Sequence, residues 1–176
     1  MFNNLYGVSL TEPARVPELI LQLSGLMRYQ LENGTKSTVS IQEEIEFVRN
    51  YIVMEKERVG NRCAISFNTP PDSSLLSSYQ IAPLILITLV ENAFKHSLTV
   101  TATWFIDITI EMKDHRLILD IQNSLPDLSL KQDSTGIGLK NIEQRLELLY
   151  KGQYSFLTAA DQDSYRTTLI LQLKNF

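Results

Sequence analysis

The segment Pro83-Leu-Ile-Leu-Ile-Thr-Leu-Val-Glu91-Asn92-Ala-Phe-Lys95-His96 is the strongest constraint on how this chain folds. Thr88, Glu91, Asn92 and Lys95 stand at i, i+3, i+4 and i+7, one stripe at helical spacing, and every other side of the helix is apolar. Such a helix is buried on most sides and wet along one. A carboxylate, an amide and an ammonium brought together there are costly unless they meet one another, a metal or a ligand. Glu and Asn offer hard oxygens suited to Mg²⁺ and its waters, and Lys95 is a compact charge suited to phosphate. A nucleotide satisfies all three. The period alone is equally compatible with a stripe that is simply solvated at the surface.

A second segment, Ser134-Thr-Gly136-Ile-Gly138-Leu-Lys-Asn141-Ile-Glu-Gln-Arg145-Leu, sets two glycines ahead of an amphipathic run with Leu139, Ile142, Leu146 and Leu149 on one side. Glycine permits close backbone approach, and the start of the following helix offers unpaired N–H groups to an anion. A Gly-x-Gly before a helix is also a common turn. No Gly-x-x-x-x-Gly-Lys-Ser/Thr occurs, which excludes a P-loop, and no strand leads directly into these glycines as a dinucleotide fingerprint requires.

Together these residues resemble a known family. Glu91-Asn92-Ala-Phe-Lys95-His96 is similar to the N box, and Gly136-Ile-Gly138-Leu-Lys-Asn141 to the second glycine box, of the GHKL ATP-binding fold. Leu23-Ser-Gly-Leu-Met-Arg28-Tyr29-Gln-Leu, Glu43-Glu44 and Tyr51-Ile-Val-Met-Glu55-Lys-Glu-Arg58 narrow the resemblance to sensor histidine kinases of the autolysin-sensor type, over essentially the whole chain. The family's phosphorylated histidine heads a His-Phe-x-Phe-Asn pattern, and Met1-Phe2-Asn3-Asn4-Leu5 resembles that pattern from just after the histidine and its neighbour. The resemblance therefore implies that the acceptor is missing here. His96 lies in the N box and His115 in a hairpin turn, where a lone histidine is expected to be solvated.

The resemblance implies ATP and Mg²⁺, with Asn92 as metal ligand and Glu91 as the catalytic residue that orients a water or takes the acceptor's proton. The implied nucleotide contacts are Thr88, Lys95, His96, Asn123, Gly136, Ile137, Gly138, Leu139, Asn141 and Thr167. Several keep a second reading. His96 could hydrogen-bond the backbone structurally, and Thr167 could be an ordinary surface strand position. Asn123 stands where the family's first glycine box has its adenine-reading Asp, in Asp120-Ile-Gln-Asn123-Ser-Leu-Pro126-Asp127, which lacks the usual glycines; it could instead be a strand-end turn residue. Residues 124 to 135 read as a short lid. Arg145 reads as a salt-bridge residue rather than a phosphate ligand.

Composition fits a compact globular chain of 176 residues, 44% hydrophobic. A net charge of -4 with no basic block argues against nucleic acid. Cys63 is alone, so no internal disulfide exists, and packing in a strand is its expected role. The apolar stretch from Ile81 to Val90 is shorter than the ~20 residues that span a bilayer; the resemblance nonetheless implies a membrane-anchored parent of which this is a cytoplasmic part.

Helical periodicity predicts a stump over Phe2 to Leu10, a helix over Pro17 to Glu32 and, after the capping box Ser40-Ile-Gln-Glu43, a helix running to Gly60. Period two predicts strands over Arg62 to Asn68, Trp104 to Lys113, Arg116 to Gln122, Tyr154 to Ala160 and Arg166 to Leu173. The expected fold is α+β, a two-layer sandwich: residues 1–60 a helical, partial dimerisation and phosphoacceptor region, residues 61–176 the ATP-binding catalytic domain. One sheet face takes the two motif-bearing helices, and the other stays partly exposed or meets the leading helices. The implied function is γ-phosphate transfer to a histidine for relay to a response regulator, within a homodimeric kinase. A pseudokinase regulatory module and a GHKL ATPase or protein serine kinase are the alternatives.

Overall fold

A computed structural model describes residues 2–71, 74–97, 104–125 and 137–173. The chain opens with helices α1 (Phe2–Thr11) and α2 (Val16–Asn33). Gly34 caps α2, and a Cβ there would lie 2.5 Å from the Gln30 carbonyl oxygen, so the position suits glycine. A two-residue strand β1 (Val39–Ser40) leads into α3 (Ile41–Val59). The capping box forms as expected: Ser40 Oγ accepts from the Glu43 N–H at 3.2 Å, and Glu43 Oε2 accepts from the Ser40 N–H at 2.9 Å.

Strand β2 (Cys63–Asn68), a short helix α4 (Ser74–Ser78) and β3 (Gln80–Ile81) precede α5 (Ile85–Ser97), which carries the polar stripe. Then follow β4 (Trp104–Lys113), β5 (Arg116–Ser124), α6 (Ile137–Tyr150), β6 (Tyr154–Ala160) and β7 (Ser164–Gln172). The main sheet has the order β2-β4-β5-β7-β6, with β2 parallel to β4 and the other pairs antiparallel; β1 and β3 form a separate ladder that pairs Val39 with Ile81. Asp114 and His115 join β4 to β5 with φ of 49° and 60°, the two left-handed residues a tight hairpin turn needs.

Period two decides which sheet face is dry. Ile106, Ile108 and Ile110 on β4, Leu117, Leu119 and Ile121 on β5, and Leu169 and Leu171 on β7 lie on one face and are buried. Against them pack α5, with Leu86, Val90 and Phe94, and α6, with Ile142 and Leu146. The opposite face bears Asp107, Asp120, Arg166 and Thr168. There Arg166 clasps Asp120 with Nε and Nη2, both at 2.9 Å, and Thr168 Oγ1 donates to it at 2.7 Å.

The leading helices do not cover that polar face. Ile41, Ile45, Val48 and Ile52 of α3 share one core with α5, and α2 packs on α3, so the lead extends the helical layer sideways. The reason lies in the pattern: the outer positions of β4, β5 and β7 are too polar to bury a helix, whereas α5 is apolar on more sides than the sheet alone can cover. Cys63 sits at the start of β2, half-buried against the core, and burial pushes its thiol up to about 11, which leaves it an inert packing residue. No helix among the described residues is long and apolar enough to cross a membrane.

Candidate functional site

Helices α5 and α6 lie side by side on the sheet, and at their contact the two glycine- and polar-rich motifs meet. Were Gly138 given a Cβ, the nearest atom would be Asn92 Oδ1, at 3.6 Å. Gly138, in the first turn of α6, thus leaves bare backbone facing a hard oxygen on α5. Leu139 turns the other way and packs on the core, while Asn141 is exposed. Gly136 and the side chains of Ile137 and His96 lie outside the described residues, as does the expected lid from residue 126 onward; Ser124, expected to start the lid, instead ends β5, where its hydroxyl accepts from the Phe105 N–H at 3.0 Å.

Along the stripe, Glu91 and Lys95 are exposed and Thr88 and Asn92 half-buried. Thr88 Oγ1 donates back to the Leu84 carbonyl at 2.5 Å, so its proton serves its own helix and only its lone pairs face outward. Although Glu91 reaches solvent, partial burial of its carboxylate, and then the neighbouring Glu55 carboxylate, push that carboxyl above the ordinary range. Glu55 comes from α3, is 4% exposed and accepts from Arg58 Nε at 2.8 Å. Tyr51, one turn before it, meets Phe94 edge-on at 5.7 Å. The Tyr51, Glu55 and Arg58 spacing carries no role in the sequence alone. Its place beside Glu91 appears only when α3 packs on α5.

The inner face of the sheet carries two buried polar groups. Asn123, 2% exposed, sits inside β5 between Ile106 and Tyr165, and its Nδ2 donates to the Ser124 carbonyl at 3.0 Å. It is a strand residue, not a turn residue. Thr167, 7% exposed, pairs with Ile121 and is therefore the diagonal neighbour of Asn123 on the same inner face. That excludes a surface position for Thr167, because β7 turns its odd-numbered residues toward the helices. Asn92 and Gly138 thus meet where α5 and α6 touch, while Asn123 and Thr167 share the inner face of the sheet.

Two expectations for other residues change. Arg145 Nη2 donates to the Pro83 carbonyl at 2.7 Å, a bond to backbone at the start of α5 rather than to a carboxylate. His115, although exposed at its turn, holds its Nδ1 2.6 Å from the Tyr79 hydroxyl and is not simply solvated. Glu44, quoted above only for the family resemblance, is wholly buried on α3. The available signal was its position among Ile41, Ile45 and Val48 at helical spacing, where a carboxylate needs partners.

Known proteins resemble this chain in sequence and in fold. A histidine-kinase family profile matches residues 1–63. The Enterococcus faecalis sensor protein LytS is 24% identical over 168 residues, 88% of this chain and 28% of the relative. The Escherichia coli sensor histidine kinase BtsS is 26% identical over 172 residues, 97% of this chain and 30% of the relative. The chain therefore spans about three tenths of the length of the curated relatives it matches. Among solved structures, the nucleotide-free catalytic domain of the histidine kinase ThkA superposes with a TM-score of 0.53 at 19% identity, covering 77% of this chain and 93% of that one. The α+β sandwich is the fold of histidine kinase catalytic domains.

Proposed function

We propose that this chain, similar in sequence to sensor histidine kinases across 97% of its length and in fold to their catalytic domains, is the ATP-binding catalytic part of such a kinase. Residues 61–176 form the nucleotide-binding unit in this reading, and residues 1–60 form part of the dimerisation and phosphoacceptor region. The γ-phosphoryl group passes to a histidine and on to a response regulator, from a cytoplasmic part of a homodimeric, membrane-anchored parent.

The observation that carries the reading is the approach of Gly138 to Asn92 Oδ1. A hard oxygen facing unobstructed backbone at a helix start suits a metal-bound phosphate chain. The donor set fits: Asn92 would hold Mg²⁺, and the bare first turn of α6 together with Lys95 would receive phosphate oxygens. Bound Mg²⁺ supplies charge neutralisation for phosphoryl transfer. Glu91, next to Asn92 on the wet stripe of α5, would accept a proton from an attacking imidazole. Asn123 and Thr167 would read the adenine from the sheet.

Calorimetric titration with Mg-ATP tests this. The chain should bind it, and folded Asn92→Ala should lose most of that affinity; equal affinity in the two proteins refutes the metal assignment. Asn123 favours a second reading, a nucleotide-binding regulatory module. The family's charged acceptor is absent there, and the Asn amide is engaged with the Ser124 carbonyl. Tight Mg-ATP binding without phosphoryl transfer to a supplied acceptor helix would select that reading.

A further inference from the structure

The start of α5 is an unusual piece of backbone. Leu84 has a φ of 64°, a left-handed conformation that a branched-chain residue adopts only when its surroundings impose it. Those surroundings are three helices. From α3, Glu44 Oε1 accepts the Leu84 N–H at 2.8 Å, and the same oxygen accepts the Tyr29 hydroxyl of α2 at 2.9 Å. From α6, Arg145 binds the Pro83 carbonyl at 2.7 Å, and the Tyr150 hydroxyl accepts the Ala82 N–H at 2.7 Å. Residues 82–84 are thus clamped by side chains from outside their own helix.

Glu44 is the only one of these clamps that also grips the leading helix α2. It is fully buried, and its second oxygen has no hydrogen-bond partner among the described residues. A carboxylate at that depth persists only where the surrounding geometry holds it, and here the positive end of α5 lies against it. Glu91 stands two turns beyond Leu84 on the same helix, roughly 10 Å along a rigid rod at 1.5 Å per residue.

We propose that Glu44 is a positioning residue which couples the placement of α2 and α3 to the Glu91–Asn92 end of α5, so that a shift of the leading helices is felt at the nucleotide site. This rests on the nucleotide-binding reading for its consequence, but not for the coupling itself. Withdrawing the Tyr29 hydroxyl leaves Glu44 less well held. A loosened Glu44 releases the Leu84 N–H, and the strained turn relaxes with the helix that follows it. Burial, outweighing the bonds from Leu84 and Tyr29, raises the Glu44 carboxyl above the ordinary range. The groups facing it are Tyr29, the Leu84 and Leu86 amides, Arg145 and Tyr150.

Amide hydrogen exchange across 84–92, set against the β4 and β5 amides, tests the coupling in the full chain without nucleotide. Tyr29→Phe retains the 4.2 Å ring stack on Phe47 and loses only the hydroxyl. Tyr29→Phe and Glu44→Ala should each speed exchange at 84–92 about tenfold relative to the sheet, the scale of one buried hydrogen bond, and weaken Mg-ATP binding several-fold. Glu44→Gln, which keeps the accepting oxygen, should restore both. Exchange that rises equally in β4 and β5, or a Gln variant as impaired as the Ala variant, overturns the proposal. If the unmodified chain binds no Mg-ATP, the nucleotide reading fails, and the exchange comparison still decides the role of Glu44.

Discussion

Replacing Gly138 with alanine separates the requirements of the fold from those of the proposed site. Gly138 is exposed in the first turn of α6, its φ is not left-handed, and the nearest atom to an added Cβ is 3.6 Å away, an ordinary van der Waals contact. Nothing in the fold therefore resists the methyl group. Glycine in a helix costs roughly 0.5–1 kcal/mol relative to alanine, and less at a first turn, so Gly138→Ala should gain about 0.5 kcal/mol. For a chain of this size that is a rise in Tm of about 1–2 °C.

The binding effect should run the other way. A magnesium ion sits about 2.0–2.1 Å from an oxygen ligand and retains bulky waters or phosphate oxygens around it. A methyl carbon 3.6 Å from Asn92 Oδ1 takes part of that oxygen's open side and covers the backbone that phosphate would approach. Mg-ATP affinity should fall at least tenfold, about 1.4 kcal/mol. Differential scanning calorimetry and isothermal titration on the same preparation give both numbers. A variant that melts normally and binds Mg-ATP as tightly as the parent refutes the cradle, and one destabilised by more than about 1 kcal/mol refutes the reading of the helix start.

Four further outcomes are expected. Asn123→Asp replaces a donor to the Ser124 carbonyl with a buried acceptor, so it should cost about 1–3 kcal/mol in urea unfolding at neutral pH, and less once nucleotide is bound. For Asp120, burial alone would raise the carboxyl, but Arg166 and Thr168 outweigh it and hold it below the usual range. Its stabilising contribution is therefore present above the ordinary carboxylate range and is lost as pH falls through the lowered value; Asp120→Asn should flatten that acid limb in pH-dependent melts while costing only about 0.5–1 kcal/mol at pH 7, because the pair is partly exposed. Ser40→Ala removes the cap of α3 and should cost about 1 kcal/mol in chemical denaturation. Labelled with γ-phosphate ATP, the chain should stay unmodified, whereas one carrying a His-Phe-x-Phe-Asn pattern ahead of its first helix should gain an acid-labile, base-stable phosphate, and Glu91→Ala should abolish that gain while Mg-ATP still binds.

Local patterns determined most of the secondary structure, and for physical reasons. The capping box at Ser40 is completed within four residues, the turn at Asp114 and His115 by two left-handed residues, and the strands announce themselves by alternation, so each is legible without knowledge of a distant partner. The polar stripe of α5 and the glycines ahead of α6 were legible in the same way, since each is a property of one segment.

Tertiary packing decided what no segment holds by itself. The short ladder of Val39 with Ile81 carries no sequence signal at two residues per strand and forms only because α3 and α5 share a core. That the leading helices widen the helical layer instead of covering the second sheet face follows from the polarity of Asp107, Asp120 and Arg166, summed over three strands. The pairing of Asn92 with Gly138, of Glu55 with Glu91, and of Glu44 with Tyr29 and Leu84 each joins residues at least fifteen positions apart. A stripe's spacing shows that a carboxylate must find partners; only the burial of apolar surface between helices selects which ones it meets.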